Sequence, residues 1–254
     1  MAHPAESTHW YTPSGEPAYT VLAKSGEPRP TTLRDARKLR LFPSVTSIIR
    51  VAAAPGLEIW KQRQVVMAAL THPGLKGTDE DVDLILRDAK EQGIAAAARG
   101  TEIHAAIQGA YEGEETPEGM EPFVAGAKAS VRQWADVDWV AEKSFAHTLG
   151  YGGKVDLSSN ELVVDFKTTD KGLAGLKVWD EQIMQLAAYR EGLGMPDARC
   201  AICYVSSTSG SARLIEVDQD DLQRGWECFT ALLMFWKAKS RYFPKVFAAP
   251  QQEV

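Results

Sequence analysis

Apolar residues recur at helical intervals over much of the first half of the chain. This spacing predicts helices over 57–70, 78–111 and 121–134. Thr78 and the three acidic residues after it are typical of a helix start, because a hydroxyl caps the first turn and carboxylates favour its positive end. Ser44 is a second predicted N-cap, in front of a short apolar run. The segment 1–42 is rich in turn residues, and one short strand is predicted within it, over 18–22.

Beyond residue 135 the period of the pattern falls to two. Short apolar or alternating runs predict five strands, over 137–149, 151–158, 162–168, 199–206 and 212–217. Helical spacing returns at 178–192 and 219–241. This order of elements predicts an α/β (α+β) fold with one central mixed β-sheet flanked by helices. We expect one compact domain, with an N-terminal arm and helical elaboration over 1–135 and the sheet-bearing core over 136–254.

The composition is ordinary for a soluble globular protein. The 254 residues are 44% hydrophobic and 24% charged, which excludes a disordered chain, a collagen-like repeat and a disulfide-stapled miniprotein. No apolar run approaches the roughly 18–20 residues of a membrane span, and the polar N-terminus has no signal-like apolar stretch. The lack of such a run means that no membrane partner is expected. With only three cysteines and no signal-like stretch, we expect free thiols and a reducing cytoplasm.

Charge is distributed unevenly along the chain. The net charge of −6 argues against binding of nucleic acid over the whole surface. Two segments are nevertheless basic: 24–40, with six basic and two acidic residues, and the stretch that carries Lys237, Lys239, Arg241 and Lys245 with no acid between them. Each of these segments is interpreted as a solvated helix face.

Three acidic residues and one lysine in the segment 142–167 form the candidate chemical site. Asp156 and Asp165 lie on successive predicted strands joined by a tight turn, so a hairpin would bring them together, and Lys167 shares a strand face with Asp165. Two adjacent carboxylates repel one another, and adding Glu142 leaves a net charge of −2. One divalent cation such as Mg²⁺ or Mn²⁺ would balance it. The alternative is a solvent-facing hairpin at the sheet edge.

Five motifs around this hairpin resemble, in their order, the PD-(D/E)XK nuclease superfamily, specifically its RecB-like and Cas4-like exonuclease branch common in phages. The resemblance runs from about residue 42 to 207. The motifs are the segment Phe42–Ile49 with Pro55–Leu57 and Trp60–Lys61, then Gly100–His104, Gly152–Asp156, Val163–Thr169 and Gln185–Tyr189. The resemblance implies a restriction-endonuclease-like core over 136–254.

The resemblance also implies roles for residues of this chain. Asp156, Asp165 and the backbone carbonyl of Phe166 would be ligands of Mg²⁺ or Mn²⁺. Lys167 would orient the attacking water. The other implied site residues are His104 as a metal ligand, Glu142 binding metal through water or holding the lysine, Gln185 beside the lysine or the metal's water, and Tyr189 touching DNA.

Each of these helical residues has a plainer interpretation. His104 could be a histidine whose hydrogen bonds are met in the core, although Gly100 one turn earlier would let its helix approach the sheet closely. Gln185 and Tyr189 could belong to an ordinary amphipathic helix.

An iron–sulfur cluster is not expected, because such clusters in related proteins take four cysteines, and Cys200 and Cys203 point to opposite faces of one strand.

Further residues are candidate contacts to DNA. A hydroxyl at a helix start can hold a phosphate, an indole can stack on a base, and basic side chains can pair with the backbone. These candidates are Ser44, Thr46, Trp60, Lys61 and Arg99. A packed helix with surface charges is the alternative for each of them.

The leading hypothesis is a metal-dependent deoxyribonuclease, with exonuclease activity, in phage or bacterial DNA recombination, repair or end processing. DNA is the expected partner, and a single-strand annealing or binding protein is a second partner by analogy. No phosphate-binding loop of the G-x4-G-K-[ST] type occurs, so no nucleotide cofactor is expected. The alternatives are an endonuclease on the same fold, a catalytically silent DNA-binding or assembly factor, and a structural α/β protein.

Overall fold

The computed structural model describes residues 9–52, 55–72, 74–170 and 172–244. Within these ranges the chain forms seven helices and nine strands. The helices are α1 (Leu33–Leu39), α2 (Val45–Ile49), α3 (Pro55–Thr71), α4 (Asp79–Glu112), α5 (Glu121–Trp134), α6 (Asp180–Gly192) and α7 (Gln219–Ser240). The strands are β1 (Trp10–Tyr11), β2 (Thr20–Leu22), β3 (Pro28–Pro30), β4 (Phe42–Pro43), β5 (Val140–His147), β6 (Tyr151–Ser158), β7 (Leu162–Thr169), β8 (Arg199–Ser206) and β9 (Ala212–Val217).

Five of the strands form one central sheet in the order β5-β6-β7-β8-β9. β7 and β8 run parallel, and α6 provides the crossover that a parallel connection requires. The other neighbouring pairs are antiparallel. The sheet is therefore mixed, which confirms the predicted fold class.

Helices cover both faces of this sheet, and each face has its own apolar core. On one face, α4 and α5 pack against Leu157 and Val164. On the other face, α2, α6 and α7 pack against Val155 and Val163. Leu157 and Val155 are two residues apart and would share a face in a regular strand, so the alternation of β6 breaks between them. The residue at that break is Asp156.

The N-terminal segment holds more structure than its sequence pattern predicts. β1 pairs with β4 and β2 with β3, whereas the sequence indicates a single strand over 18–22. The prediction also misses α1. Thr32 Oγ1 accepts a hydrogen bond from Asp35 N at 3.4 Å, and the Asp35 carboxylate accepts one from Thr32 N at 3.0 Å. This capping box is the local signal that would have revealed the helix.

The longest helix, α4, agrees closely with its prediction. Thr78 caps it through a side-chain bond to Asp81 N, and Gly113 ends it in the left-handed conformation. The structure likewise confirms Ser44 as the N-cap of α2. Among the described residues, no helix is long and apolar enough to cross a membrane.

Candidate active site

The sheet loses its regular backbone pairing at two acidic residues of the predicted site. Between β6 and β7 the ladder reaches only as far as Leu157 and Val164. The next residues on the two strands are Asp156 and Asp165, which the register places opposite one another. Instead of pairing with the backbone, the N–H of Phe166 donates to Asp156 Oδ2 at 2.7 Å. The strands therefore separate at the two carboxylates and leave space beside them.

Helix α4 brings His104 against this opening. His104 Nε2 lies 2.8 Å from Asp156 Oδ2. Gly100, one turn earlier, lies against β7: a Cβ built there would be 2.8 Å from Thr168 Oγ1. The absence of a side chain at Gly100 allows this approach, so the close contact between this helix and the sheet, which the sequence predicts, is present in the structure.

Lys167 is held in place on β7 by a buried network. Its Nζ lies 2.7 Å from Asp165 Oδ2 and donates to Gln185 Oε1 at 3.1 Å. Gln185 Nε2 donates in turn to Asp165 Oδ1 at 2.9 Å and to Tyr189 OH at 2.8 Å. Asp165 is 1% exposed, and Gln185 is 8% exposed. Because each member holds the next, the ammonium group has one fixed position at the edge of the opening.

Glu142 completes the acidic group from the neighbouring strand. The register of β5 and β6 places it opposite Asp156, and the backbone pairs on either side of it are regular. Its φ is 52°, in the left-handed region that costs a residue other than glycine of order 1–3 kcal/mol. Its carboxylate forms an ion pair with Lys154. Backbone strain at a carboxylate beside an opening in the sheet is typical of a functional site.

Three of these side chains could hold a metal ion. One ligand atom from each of His104, Glu142 and Asp156 lies within 4.8 Å of the other two. Carboxylate oxygens with one imidazole nitrogen suit Mn²⁺ and, through the oxygens, Mg²⁺. Asp165 and the backbone carbonyl of Phe166 are also predicted metal ligands. In the structure Asp165 lies beside Lys167, and Glu142 lies with His104 and Asp156; the metal-binding roles of Asp165 and Phe166 stay predictions.

The electrostatics of the site also fit a cation. Burial raises the pKa of Asp165 to about 6, with Lys167 acting to lower it and Asp156 to raise it further. Burial likewise disfavours charge on Asp156, but His104 and Lys167 outweigh it and the pKa of Asp156 is lowered. For His104, the Asp156 carboxylate outweighs burial and raises the pKa. The Asp165 carboxylate is thus buried near a second carboxylate, and Lys167 Nζ, 2.7 Å from its Oδ2 atom, offsets only part of the cost of its charge.

A cleft with a volume of about 650 Å³ is lined by His104, Glu142, Asp156 and Lys167. Ser44, Thr46 and Tyr189, three of the predicted DNA contacts, also line it. The Ser44 hydroxyl is already engaged, because it caps α2 by accepting from Ser47 N at 3.1 Å. The cleft is therefore formed where α2, α4, α6 and the open edge of β6 and β7 meet.

The other predicted DNA contacts lie elsewhere. Trp60 packs against α4 near Gly93. Lys61 forms a surface ion pair with a glutamate on its own helix. Arg99 lies over the Phe123 ring, 4.8 Å from its centroid, on the side of α4 that faces α5. None of these three side chains lines the cleft.

The cysteines lie away from the cleft. Cys200 and Cys203 are buried on opposite faces of β8, one in each core, as their spacing predicts. Burial raises the pKa of both thiols to about 12. Cys228 is exposed on α7. The buried pair therefore behaves as small core residues.

Several residues of the cleft have no role in the sequence analysis. Lys154, Arg50 and Thr168 line it beside the acidic group. The signal for Lys154 is its position two residues before Asp156 on one strand. Arg50 caps the end of α2, and its place in the cleft follows only from how that helix docks on the sheet.

Comparison with known proteins adds two distant likenesses. No protein-family model matches the chain, and no curated protein matches it. A solved structure of a protein from Eubacterium rectale, provisionally named as an exonuclease, is 12% identical and has a TM-score of 0.41, covering 56% of this chain and 68% of that one. The structure of SSO0001 is 15% identical with a TM-score of 0.27, covering 54% of this chain and 72% of that one. Both scores lie below 0.5, so the case for a function comes from the site.

Proposed function

We propose that this protein is a metal-dependent DNA nuclease of the PD-(D/E)XK type that removes nucleotides from DNA ends. The observation that carries the proposal is one cleft in which a fixed lysine lies beside a group of side chains that could hold a cation. The lysine, Lys167, is held by Asp165 and Gln185. The cation-binding group consists of His104, Glu142 and Asp156.

The two halves of the cleft have complementary tasks in hydrolysis of a phosphodiester. A divalent cation held by the three ligands would lower the pKa of a water molecule and neutralise charge on the phosphate. Lys167 Nζ orients the attacking water and stabilises the negative charge that develops on the phosphate oxygens. Gln185 and Asp165 hold the Lys167 ammonium group beside the position of the attacking water. The oxygen of water bonds to phosphorus as the bond to the leaving sugar oxygen breaks; the attacking water gives up one proton to solvent, and the leaving oxygen takes one up from solvent.

The lining of the cleft supports a polynucleotide substrate. Arg50 lines the same cleft as Lys167 and would pair with a phosphate beside the scissile bond, whereas Lys154 is already paired with Glu142. Thr46 offers a hydroxyl at the start of α2 for a further phosphate. We therefore place the DNA backbone along this wall. Recombination, repair or end processing in a phage or bacterium is the setting that the sequence resemblance implies.

A cleavage assay tests this function directly. End-labelled linear DNA and a covalently closed circle are incubated with EDTA, Mg²⁺ or Mn²⁺. We expect loss of the linear DNA only, and only with metal. Cutting of the circle would identify an endonuclease instead. Binding of DNA without any product, in every condition, would overturn the nuclease proposal in favour of a silent binding factor.

Metal binding is expected to stabilise the folded protein. A ligand at about 100 times its dissociation constant adds about 2.7 kcal/mol to the free energy of unfolding. For a chain of this size that corresponds to a rise in Tm of roughly 5–10 °C. Differential scanning calorimetry with Mn²⁺ against EDTA measures it. Asp156→Asn keeps an oxygen for the Phe166 N–H but removes the charge, so the rise should vanish.

A second histidine–aspartate pair provides the control for this experiment. His72 pairs with Asp88 between α3 and α4, and both side chains are about as exposed as His104. Asp88→Asn should therefore keep the full rise in Tm with Mn²⁺. An equal rise in Asp156→Asn and the wild-type protein would show that the ion binds somewhere else.

A further inference from the structure

The fold brings together two basic segments that lie about 200 residues apart in the sequence. Arg37 on α1 donates to the carbonyl of Ser240 at the end of α7, at 2.7 Å. The Tyr242 hydroxyl, just beyond α7, lies 3.0 Å from the carbonyl of Ala36 and 2.8 Å from that of Leu41. The ends of the two helices are thus fixed side by side, and neither segment lines the catalytic cleft.

The surface they form is strongly positive. We define the α1/α7 surface by the exposed basic side chains that these two segments present: Arg34, Arg37, Lys38, Lys239 and Arg241. The one acid of α1, Asp35, is already bound by Arg29 at 2.6 Å. The sequence from 228 to 252 contains no acidic residue. The surface therefore carries a local excess of positive charge on a protein whose net charge is −6.

Two exposed aromatic rings come from the same C-terminal segment as Lys239 and Arg241. Phe235 is 53% exposed and Phe243 is 59% exposed. The Lys239 ammonium lies 5.8 Å from the centroid of the Phe235 ring. Basic groups beside exposed rings are the combination that binds single-stranded nucleic acid, because phosphates pair with the charges while unstacked bases lie on the rings.

We propose that the α1/α7 surface binds a single DNA strand outside the catalytic cleft. The proposal rests on the proposed nuclease function for the source of that strand, which would be entering or leaving the cleft. The path is short. Leu39, at the end of α1, is five residues from Ser44 in the cleft, a distance of at most about 18 Å. At about 3.4 Å per step, this is roughly five nucleotides of stacked strand.

A purely structural role for these basic residues makes a different prediction. Basic side chains in the last turn of a helix offset the negative end of its dipole, and both helices end at this surface. In that case neutralising Lys38 and Lys239 would lower Tm and leave DNA affinity unchanged. The double variant Lys38→Gln, Lys239→Gln therefore distinguishes the two roles when both its Tm and its affinity for DNA are measured.

Binding of a labelled oligothymidylate, followed by fluorescence anisotropy in EDTA over a series of salt concentrations, tests the proposal. Each phosphate contact to a single strand contributes about 0.7 to the slope of log K against log salt. We expect the double variant to reduce the slope by about 1.4. Phe243→Ala should weaken binding by about tenfold and leave the slope unchanged, because a stacked base is lost without a charge.

The matched control removes two exposed arginines that already pair with acids elsewhere, Arg132 with Asp136 and Arg224 with Asp221. Arg132→Gln with Arg224→Gln changes the net charge equally and should keep the wild-type slope. Equal slopes in both double variants would overturn the proposal. The proposal would also be overturned if Lys38→Gln with Lys239→Gln lost affinity only for a duplex probe. The same holds if this variant lost affinity for phosphatidylserine vesicles and not for DNA. The assay measures binding alone, and EDTA prevents metal-dependent cleavage during it. The result therefore tests the α1/α7 surface whether or not the protein is a nuclease.

Discussion

Asp165→Asn and Lys167→Ala are each expected to lower the rate of DNA cleavage by at least about 10³-fold. Removing one preorganised group that stabilises transition-state charge typically costs 10²–10³ in rate, and here the same change also releases the lysine or its partner. Since Asp165, Lys167 and Gln185 form one network, the double variant should be about as inactive as either single one. Single-turnover cleavage of end-labelled DNA with Mg²⁺ measures these rates.

The fold should survive these substitutions. In Asp165→Asn the new amide oxygen can still accept from Gln185 Nε2, and Lys167 keeps Gln185 Oε1 as a partner. The change also removes a buried anion whose pKa is raised to about 6. Lys143→Ala is the matched control, since Lys143 is an exposed lysine on β5 outside the cleft. Wild-type rates in Asp165→Asn or Lys167→Ala would contradict the assignment of the active site.

The sequence predicts the sheet and the long helices because these elements follow local rules. β6, β8 and β9 have the predicted bounds, since each is an apolar run between clear turn signals. α4 and α5 likewise follow from helical spacing and their first turns. α1 is missed because it is short and basic, and its capping box is its main signal. The small pairs β1–β4 and β2–β3 depend on contacts made by the rest of the fold.

Part of the candidate site is local in the same sense. Asp156 and Asp165 can be placed opposite one another because a tight turn fixes the register of β6 and β7. The partnership of Glu142 with His104 is not local. It depends on a left-handed residue in β5 and on the height at which α4 crosses the sheet. No periodicity in the sequence encodes either feature, so the grouping of Glu142 with His104 could not be derived from it, and the metal-binding roles of Asp165 and Phe166 stay predictions that the resemblance implies.

Gly100→Ala tests how strongly activity depends on that crossing. A Cβ at this position would lie 2.8 Å from Thr168 Oγ1, so α4 must shift away from β7 or the threonine must turn. His104 is one turn further along the same helix. A displacement of about 1 Å at a catalytic group can lower a rate by about 10²-fold, and we expect a loss of about 10- to 100-fold in kcat/KM. Cleavage of linear DNA at limiting substrate measures it.

Two further variants separate this steric effect from a general effect of alanine. Gly93→Ala lies on the same helix, where a new Cβ would be 3.6 Å from the Trp60 ring, an ordinary contact. It should keep full activity and gain up to about 1 kcal/mol in stability, because alanine favours helix more than glycine does. Thr168→Ala removes the oxygen that Gly100→Ala would strike, and the remaining Cβ would lie 3.9 Å away. The double variant should therefore recover most of the lost activity. If it does not recover, the loss in Gly100→Ala has another origin, and the close approach of α4 to β7 is not what positions His104.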